Sequence, residues 1–340
     1  MAAEFYVLPP EKIAQEPPKT RGASRLLVLH RDTHELEDWR YTDIIDYLEP
    51  GDVLVLNDTK VMPARLIAKF ADGREREFML TEKHSRELPE NQAQVVYRGK
   101  LRAGDELFVG VEKLQVLDVL DGGQAIIEAD RSMVDIADEY GATPLPPYIR
   151  REANQEDAQR YQTIFAQETG SVAAPTASLN MTDELLQAIR MKGVEVVYLT
   201  LHVGRGTFLP IRSEKVDDHK MHEEYFEIPA ETTKKIRNAK IQGGRVVALG
   251  TTVTRALEYA AGDILESSDQ EVNGEADIFI HPGYAFRVVD MLLTNFHAPE
   301  STVIQLAAAF AGEDFLRRAY GYALAGDYKF LSYGDSMLVL

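Results

Sequence analysis

Residues 52–56 read DVLVL and run directly into Asn57-Asp58-Thr59. A strand with one wet face alternates apolar and polar side chains, and this one does not. A continuous apolar run fits a strand covered by helices on both faces, in the middle of a largely parallel sheet. The polar triplet then falls at the strand's carboxyl end, where such sheets keep their ligands. It reads equally as a turn or a helix cap.

The same texture extends on both sides of this strand. Upstream, residues 24–29 and 36–41 read as short strands, and 43–48 as a helix stopped by Pro50-Gly51. Beyond residue 161, helices are predicted over 181–192, 231–242, 252–262 and 301–311. Strands are predicted over 194–201, 245–249 and 276–280. Thr182 is placed to cap the first of these helices and Gly193 to end it. Alternation of this kind predicts an α/β domain, barrel-like or with a largely parallel sheet.

Between them the pattern changes. Short β-type runs at 77–81, 94–97, 106–109, 114–120 and 124–129 are separated by turns such as Asp72-Gly73 and Asp121-Gly122-Gly123. That spacing predicts a small antiparallel β-barrel or sandwich. A helix over 132–140 follows, then the stiff extended connector PLPPY at 144–148. The predicted organisation is a discontinuous α/β domain, residues 1–63 and 150–340, with a β-barrel domain inserted at 64–149.

Composition limits the function classes. The 340 residues are 45% hydrophobic and 27% charged, as in ordinary globular proteins. There is no Cys, which removes disulfides and thiolate metal sites. The N-terminus has neither the basic nor the apolar region of a signal peptide, and no apolar run is long enough to span a bilayer. A cytoplasmic, monomeric enzyme is the expectation. The net charge of −18 disfavours a nucleic-acid-coating protein. Local basic runs remain, at Arg98, Lys100 and Arg102, at Arg150-Arg151, and from Lys234 to Arg245.

Polar or Gly-rich segments follow nearly every predicted strand of the second half. Leu201 leads into His202-Val203-Gly204-Arg205-Gly206-Thr207-Phe208, and Leu249 into Gly250-Thr251-Thr252 and a helix carrying Arg255. Ile280 leads into His281-Pro282-Gly283-Tyr284, and Leu293 into Thr294-Asn295-Phe296-His297. Glycines allow close backbone approach and helix N-termini offer free N–H groups, so four such turns converging suggest one site. The stretch Asp218-His219-Lys220-Met221-His222-Glu223-Glu224 is the densest in ionisable groups. It suits acid–base work, a metal or a plain surface pair of histidines. Arg65 reads as an anion clamp or a surface ion pair. Phosphate-loop, dinucleotide, zinc-protease and serine-hydrolase fingerprints are absent from the sequence.

Taken in order, these segments resemble the S-adenosylmethionine:tRNA ribosyltransferase-isomerase family of queuosine biosynthesis. The resemblance begins with Leu8-Pro9, Ile13-Ala14-Gln15, Ser24-Arg25-Leu26-Leu27 and Pro50-Gly51-Asp52. It continues through Asn57-Asp58-Thr59, Pro63-Ala64-Arg65, Pro144-Leu145-Pro146-Pro147-Tyr148-Ile149 and Tyr161-Gln162-Thr163. Further motifs are Ala174-Pro175-Thr176-Ala177, Leu201-His202-Val203-Gly204, Gly206-Thr207-Phe208, Asp218-His219 and Met221-His222. Gly250-Thr251-Thr252 with Arg255, Pro282-Gly283-Tyr284, Thr294-Asn295-Phe296-His297 and Ser332-Tyr333-Gly334-Asp335 complete it. The resemblance implies an α/β barrel-like domain carrying an inserted β-barrel. It also implies a reaction in which S-adenosylmethionine (AdoMet) donates its ribosyl group to 7-aminomethyl-7-deazaguanine in tRNA. Epoxyqueuosine forms, and adenine and methionine leave. AdoMet is a substrate, and no metal or redox cofactor is implied.

The residues expected to carry the chemistry are His202, His219, His222, His297 and Glu224. Those expected to bind substrate are Asn57, Asp58, Arg65, Pro175, Thr176, Gly204, Gly206, Thr207, Phe208, Asp218, Thr251, Thr252, Arg255, Gly283, Tyr284 and Asn295. Two departures stand out. The family pattern continues Pro-Thr-Ala with Gly-Leu-His-Phe, where this chain has Ser178-Leu179-Asn180-Met181. Its Gly-Thr-Thr-Ser-Val-Arg appears here as Gly250-Thr251-Thr252-Val253-Thr254-Arg255. These changes motivate two alternatives: a paralogue with an altered acceptor or lost activity, and a non-catalytic tRNA- or nucleotide-binding protein.

Overall fold

The computed structural model describes residues 5–83, 88–204, 221–266 and 270–340. The first portion supplies β1 (Arg25–Leu29), β2 (Leu36–Arg40), a 3-10 helix (Tyr41–Tyr47), β3 (Val53–Asn57) and β4 (Thr59–Val61). Then come β5 (Arg65–Lys69), β6 (Glu75–Leu80), β7 (Gln92–Tyr97), β8 (Glu106–Val109), β9 (Glu112–Leu120) and β10 (Gln124–Ala129). After α1 (Met133–Tyr140) and α2 (Gln155–Arg160) follow β11 (Glu168–Ser171), α3 (Asp183–Met191), β12 (Glu195–Leu201) and β13 (Glu224–Ile228). The chain continues with α4 (Ala230–Gln242), β14 (Val246–Leu249), α5 (Thr251–Tyr259), α6 (Ala261–Glu266) and β15 (Val272–Ala276). It closes with β16 (Met291–Asn295), α7 (Thr302–Ala311), α8 (Glu313–Ala325) and β17 (Ser336–Val339).

Nine strands form one sheet in the order β15-β13-β12-β3-β14-β16-β17-β1-β2. Its centre, β12-β3-β14-β16, is parallel throughout. β3 is buried along its whole length, as the DVLVL run requires. Its alternate residues serve two cores. Val53 and Val55 pack with Ile236 of α4, Val253 of α5 and Leu306 of α7. Leu54 and Leu56 face the other way, onto Leu185 and Ile189 of α3 and onto Tyr41 and Ile44 of the 3-10 helix. Each fully buried Leu or Val contributes about 1.5–3 kcal/mol of transfer free energy, so a two-sided strand anchors both helical layers.

The inserted unit is a closed antiparallel barrel in the order β10-β7-β6-β5-β8-β9. Burial alternates along its strands, and the inward residues Leu66, Phe78, Val95, Leu107, Leu114 and Ile127 make its core. Closure leaves this sheet no unpaired edge. Met133 and Ile136 of α1 pack into the same core. The short parallel pair of β4 and β11 ties barrel to body, with Met62 N donating to Ser171 O at 2.8 Å.

Several elements differ from expectation. The segment 43–48 is a 3-10 helix over Tyr41–Tyr47 rather than an α-helix. The strand expected over 276–280 ends at Ala276 instead, because Val272–Ala276 is the residue run that pairs antiparallel with β13. The helix expected over 252–262 is two, α5 and α6, with Ala260 between them. β5, β13, α8 and β17 were not anticipated. The described residues contain no helix long and apolar enough to cross a membrane.

Candidate functional site

The four parallel strands β3, β12, β14 and β16 end on the same side, at Asn57, Leu201, Leu249 and Asn295. A cavity open to solvent lies there. Its walls come from the chain just past three of those strands: Val203; Gly250, Thr251 and Thr252; Thr294, Asn295, Phe296 and His297. Residues 174–177, Tyr148 from the Pro-rich connector, Ser301 and Ser332 complete it.

Gly250 turns β14 into α5 with φ at 101°, a conformation that suits glycine. Among the described residues no side chain caps that helix, and its first turn holds no acidic residue. Its N-terminal N–H groups and the helix dipole therefore make this wall receptive to an anion. Across the cavity, the Thr176 hydroxyl donates to Asn295 Oδ1 at 2.9 Å, and Asn295 Nδ2 reaches Asp335 O at 3.4 Å. Tyr148 and Ser332 join through their hydroxyls at 2.6 Å.

His297 is held on three sides. Its Nε2 lies 2.9 Å from the Thr294 hydroxyl, its N–H donates to the Tyr320 oxygen at 2.8 Å, and its carbonyl accepts from Tyr6. Burial pushes the imidazole down to about 3, so at neutral pH the ring is uncharged. In the tautomer protonated at Nδ1, Thr294 donates to Nε2 and the threonine oxygen keeps its lone pairs for a donor in the cavity.

Asn57, fully buried, braces the site from beneath. Its Oδ1 accepts from Leu201 N at 3.0 Å and Thr59 N at 3.1 Å. Its Nδ2 donates to Leu201 O at 2.9 Å and approaches the Thr252 hydroxyl at 3.5 Å. The side chain thus joins the ends of β3 and β12 and touches a cavity residue. His202 lies behind Val203, its Nδ1 2.8 Å from the Thr59 hydroxyl and its ring stacked on Tyr225. Asp58 takes the Thr200 hydroxyl at 2.7 Å, and burial, with Glu168 nearby, raises its carboxyl to about 6.

Glu224 and Arg255 form a buried ion pair. Glu224 Oε1 also accepts from Gly204 N at 3.0 Å, and Arg255 Nη2 donates to Ala276 O at 3.1 Å. The pair therefore fastens the chain past β12 to α5 and to the end of β15.

The structure brings together at the cavity Pro175, Thr176, Thr251, Thr252, Asn295 and His297. Asn57, His202, Gly204, Glu224 and Arg255 support it from outside the lining. Others stand apart. Arg65 is on the barrel, paired with Glu77 at 2.8 Å. His222 is exposed, and Gly283 likewise. The Tyr284 hydroxyl donates to Glu258, whose carboxylate also gathers the N–H groups of Arg287, Val288 and Val289, so this tyrosine fastens its own loop. Gly206, Thr207, Phe208, Asp218 and His219 lie outside the described residues. Tyr148, Ser301 and Ser332 were missed as lining residues. The first is in a connector read for its stiffness and quoted as a family motif without a role, and the last is in another motif quoted without a role.

Neither departure from the family pattern reaches the cavity lining. Ser178 and Asn180 are buried beside it. Val253 is in the hydrophobic core, and the Thr254 hydroxyl donates to Gly250 O at 3.1 Å within its own helix.

A family described as "Queuosine biosynthesis protein" matches residues 3–339. The chain is 54% identical to the S-adenosylmethionine:tRNA ribosyltransferase-isomerase of Pelodictyon phaeoclathratiforme, over 98% of each chain. It is equally similar, at 54% over 98% of each, to the protein of that name from Chlorobaculum parvum. Among solved structures it resembles an S-adenosylmethionine tRNA ribosyltransferase from Thermotoga maritima. Identity there is 37% and the TM-score 0.58, over 99% of this chain and 100% of the other.

Proposed function

The chain belongs to the queuosine biosynthesis protein family, and from that premise we propose that its strand-end cavity is where AdoMet gives up its ribosyl group to tRNA. The enzyme is an S-adenosylmethionine:tRNA ribosyltransferase-isomerase. In the reaction the aminomethyl nitrogen of 7-aminomethyl-7-deazaguanine attacks the ribose C5′. The N–C5′ bond forms, the C5′–S bond breaks, and methionine leaves as a neutral thioether carrying the bonding electron pair. Adenine is lost afterwards and the ribose rearranges to the epoxycyclopentanediol of epoxyqueuosine.

One observation carries the reading: anion-receptive, neutral polar and aromatic walls meet in one cavity at the ends of the parallel strands. The uncapped start of α5 suits the methionine carboxylate. Tyr148, partly exposed in the lining, offers an aromatic ring to the sulfonium. Thr176 and Asn295 present hydrogen-bonding groups for the adenine edge. A neutral His297 does not repel the sulfonium, as a histidinium would. Its partner Thr294 is placed to accept a hydrogen bond from the attacking amine, which must be unprotonated to react. Glu224, Arg255, Asn57 and His202 act as positioning residues.

The test is release of adenine and methionine from AdoMet, followed with and without tRNA carrying the deazaguanine precursor. Release that depends on that tRNA supports the reading. AdoMet binding without any turnover removes it in favour of a paralogue with lost activity.

A further inference from the structure

We propose that tRNA docks its phosphate backbone in the groove between the inserted barrel and the Pro-rich connector, against a basic corner formed by the loop after β7. The proposal rests on the function given above and adds the surface that delivers the reacting nucleotide.

The loop at 98–102 carries Arg98, Lys100 and Arg102, and Arg76 lies beneath it. The Arg76 guanidinium donates to the carbonyls of Arg98 and Lys100 at 2.8 and 2.9 Å. Gly99 makes this possible, since a Cβ there would sit 2.4 Å from Arg76 Nη1. A cation has thus been used to shape a loop that already carries three. Among the described residues none of the four guanidinium or ammonium groups meets a carboxylate, whereas nearby Arg65, Lys69 and Arg74 are each paired with one. On a chain of net charge −18, like charges gathered where the nearby Asp105 carboxylate is engaged by the Arg102 backbone N–H at 2.8 Å point to a polyanion as partner.

The groove beside the loop supplies the second observation. It is open, and Arg98, Tyr97 and Arg151 line it, with Glu77 of β6 neutralised by Arg65. Arg98 offers a free cation there and Tyr97 a ring on which a base can stack. The opposite wall is the connector, through Leu145, Pro147 and Ile149. The intervening residue, Tyr148, lines the catalytic cavity instead. Groove and cavity therefore share one thin wall. A base that is to react must leave its stack, and a backbone held in the groove needs to deliver a single splayed nucleotide past that wall.

The test compares R98E, K100E and R98E/K100E with wild type and with R318E, the same charge change on exposed α8. Binding of a tRNA transcript is measured across about 50–200 mM salt, with AdoMet binding followed by calorimetry. Each lost phosphate contact should reduce the slope of log K against log salt by about one. The expected result is weaker tRNA binding, by about 10-fold or more for the double variant at low salt. The slope becomes shallower, KM for tRNA rises, and kcat and AdoMet affinity stay at wild-type values. The surface proposal is overturned if wild type turns over and the groove variants match R318E in affinity and slope. A wild type that neither binds tRNA nor releases adenine overturns the function itself, and the surface with it.

Discussion

Arg255 of α5 and Glu224 of β13 meet as a buried ion pair, and Glu224 alone also holds the backbone N–H of Gly204. The two residues are far apart in sequence, yet together they set where the chain emerges from β12. Removing one partner of such a pair leaves the other charge buried and unpaired, which costs about 3–5 kcal/mol. E224Q should lower the melting temperature and weaken AdoMet binding together. The double variant E224Q/R255M should recover much of the stability but little of the affinity, as measured by thermal unfolding and calorimetry.

His297 makes stability depend on pH in a definite direction. Its folded-state value is about 3 against 6.5 in a free chain. Between those values the unfolded chain binds a proton at this histidine and the folded chain does not, so acidification favours unfolding. Asp58, raised to about 6, acts with the opposite sign over its own window. Chemical denaturation of wild type and H297Q at pH about 7, 5 and 4 should show a flatter profile for the variant. Parallel profiles would contradict the burial of this ring.

Gly170 lies under the imidazole of His202. A Cβ at residue 170 would stand 2.6 Å from the ring's Cε1, and the ring is already fixed by Thr59 and Tyr225. G170A should cost about 1–3 kcal/mol, the usual range for overpacking. Loss of the Thr59–His202 hydrogen bond should be visible as a shifted His202 ring resonance.

Asn57 satisfies both backbone groups of Leu201. N57A leaves that N–H and carbonyl buried without partners, at about 1–3 kcal/mol for each unpaired group. It also frees the Thr252 hydroxyl, so AdoMet affinity should fall by more than stability alone accounts for, in calorimetry at a temperature where the variant is folded.

Asn180 stands where the family pattern has histidine, but it is buried and is not among the residues that line the cavity. N180H should therefore not raise turnover in the adenine-release assay. A gain of about 10-fold or more would show that this position reaches the reacting atoms.

Much of this was legible in the sequence because it depends on local pattern. DVLVL at 52–56 specifies a two-sided strand, and turns such as Asp121-Gly122-Gly123 specify hairpins. The strand-end positions of Asn57, Gly250 and Asn295 followed from that alternation. What stayed hidden depends on long-range pairing. β13 reads as a charged EYFEI and is a strand only because β12 and β15 flank it. β17 gains its place between β1 and β16 from contacts that span the chain. Tyr148 gave no periodic signal, and Tyr284 was drawn into the site by a neighbouring glycine although Glu258 holds it elsewhere. Residue type alone did not separate Glu224 as an ion-pair partner from Glu224 as an acid.

The most direct measurement is tRNA-dependent adenine release by T176V/N295L, which replaces the polar wall of the cavity with apolar groups of similar size. The account predicts a folded protein whose KM for AdoMet rises by about 10-fold or more, as hydrogen-bonding groups in a buried site are lost. An unchanged KM and kcat would place ribosyl transfer outside this cavity and contradict the account.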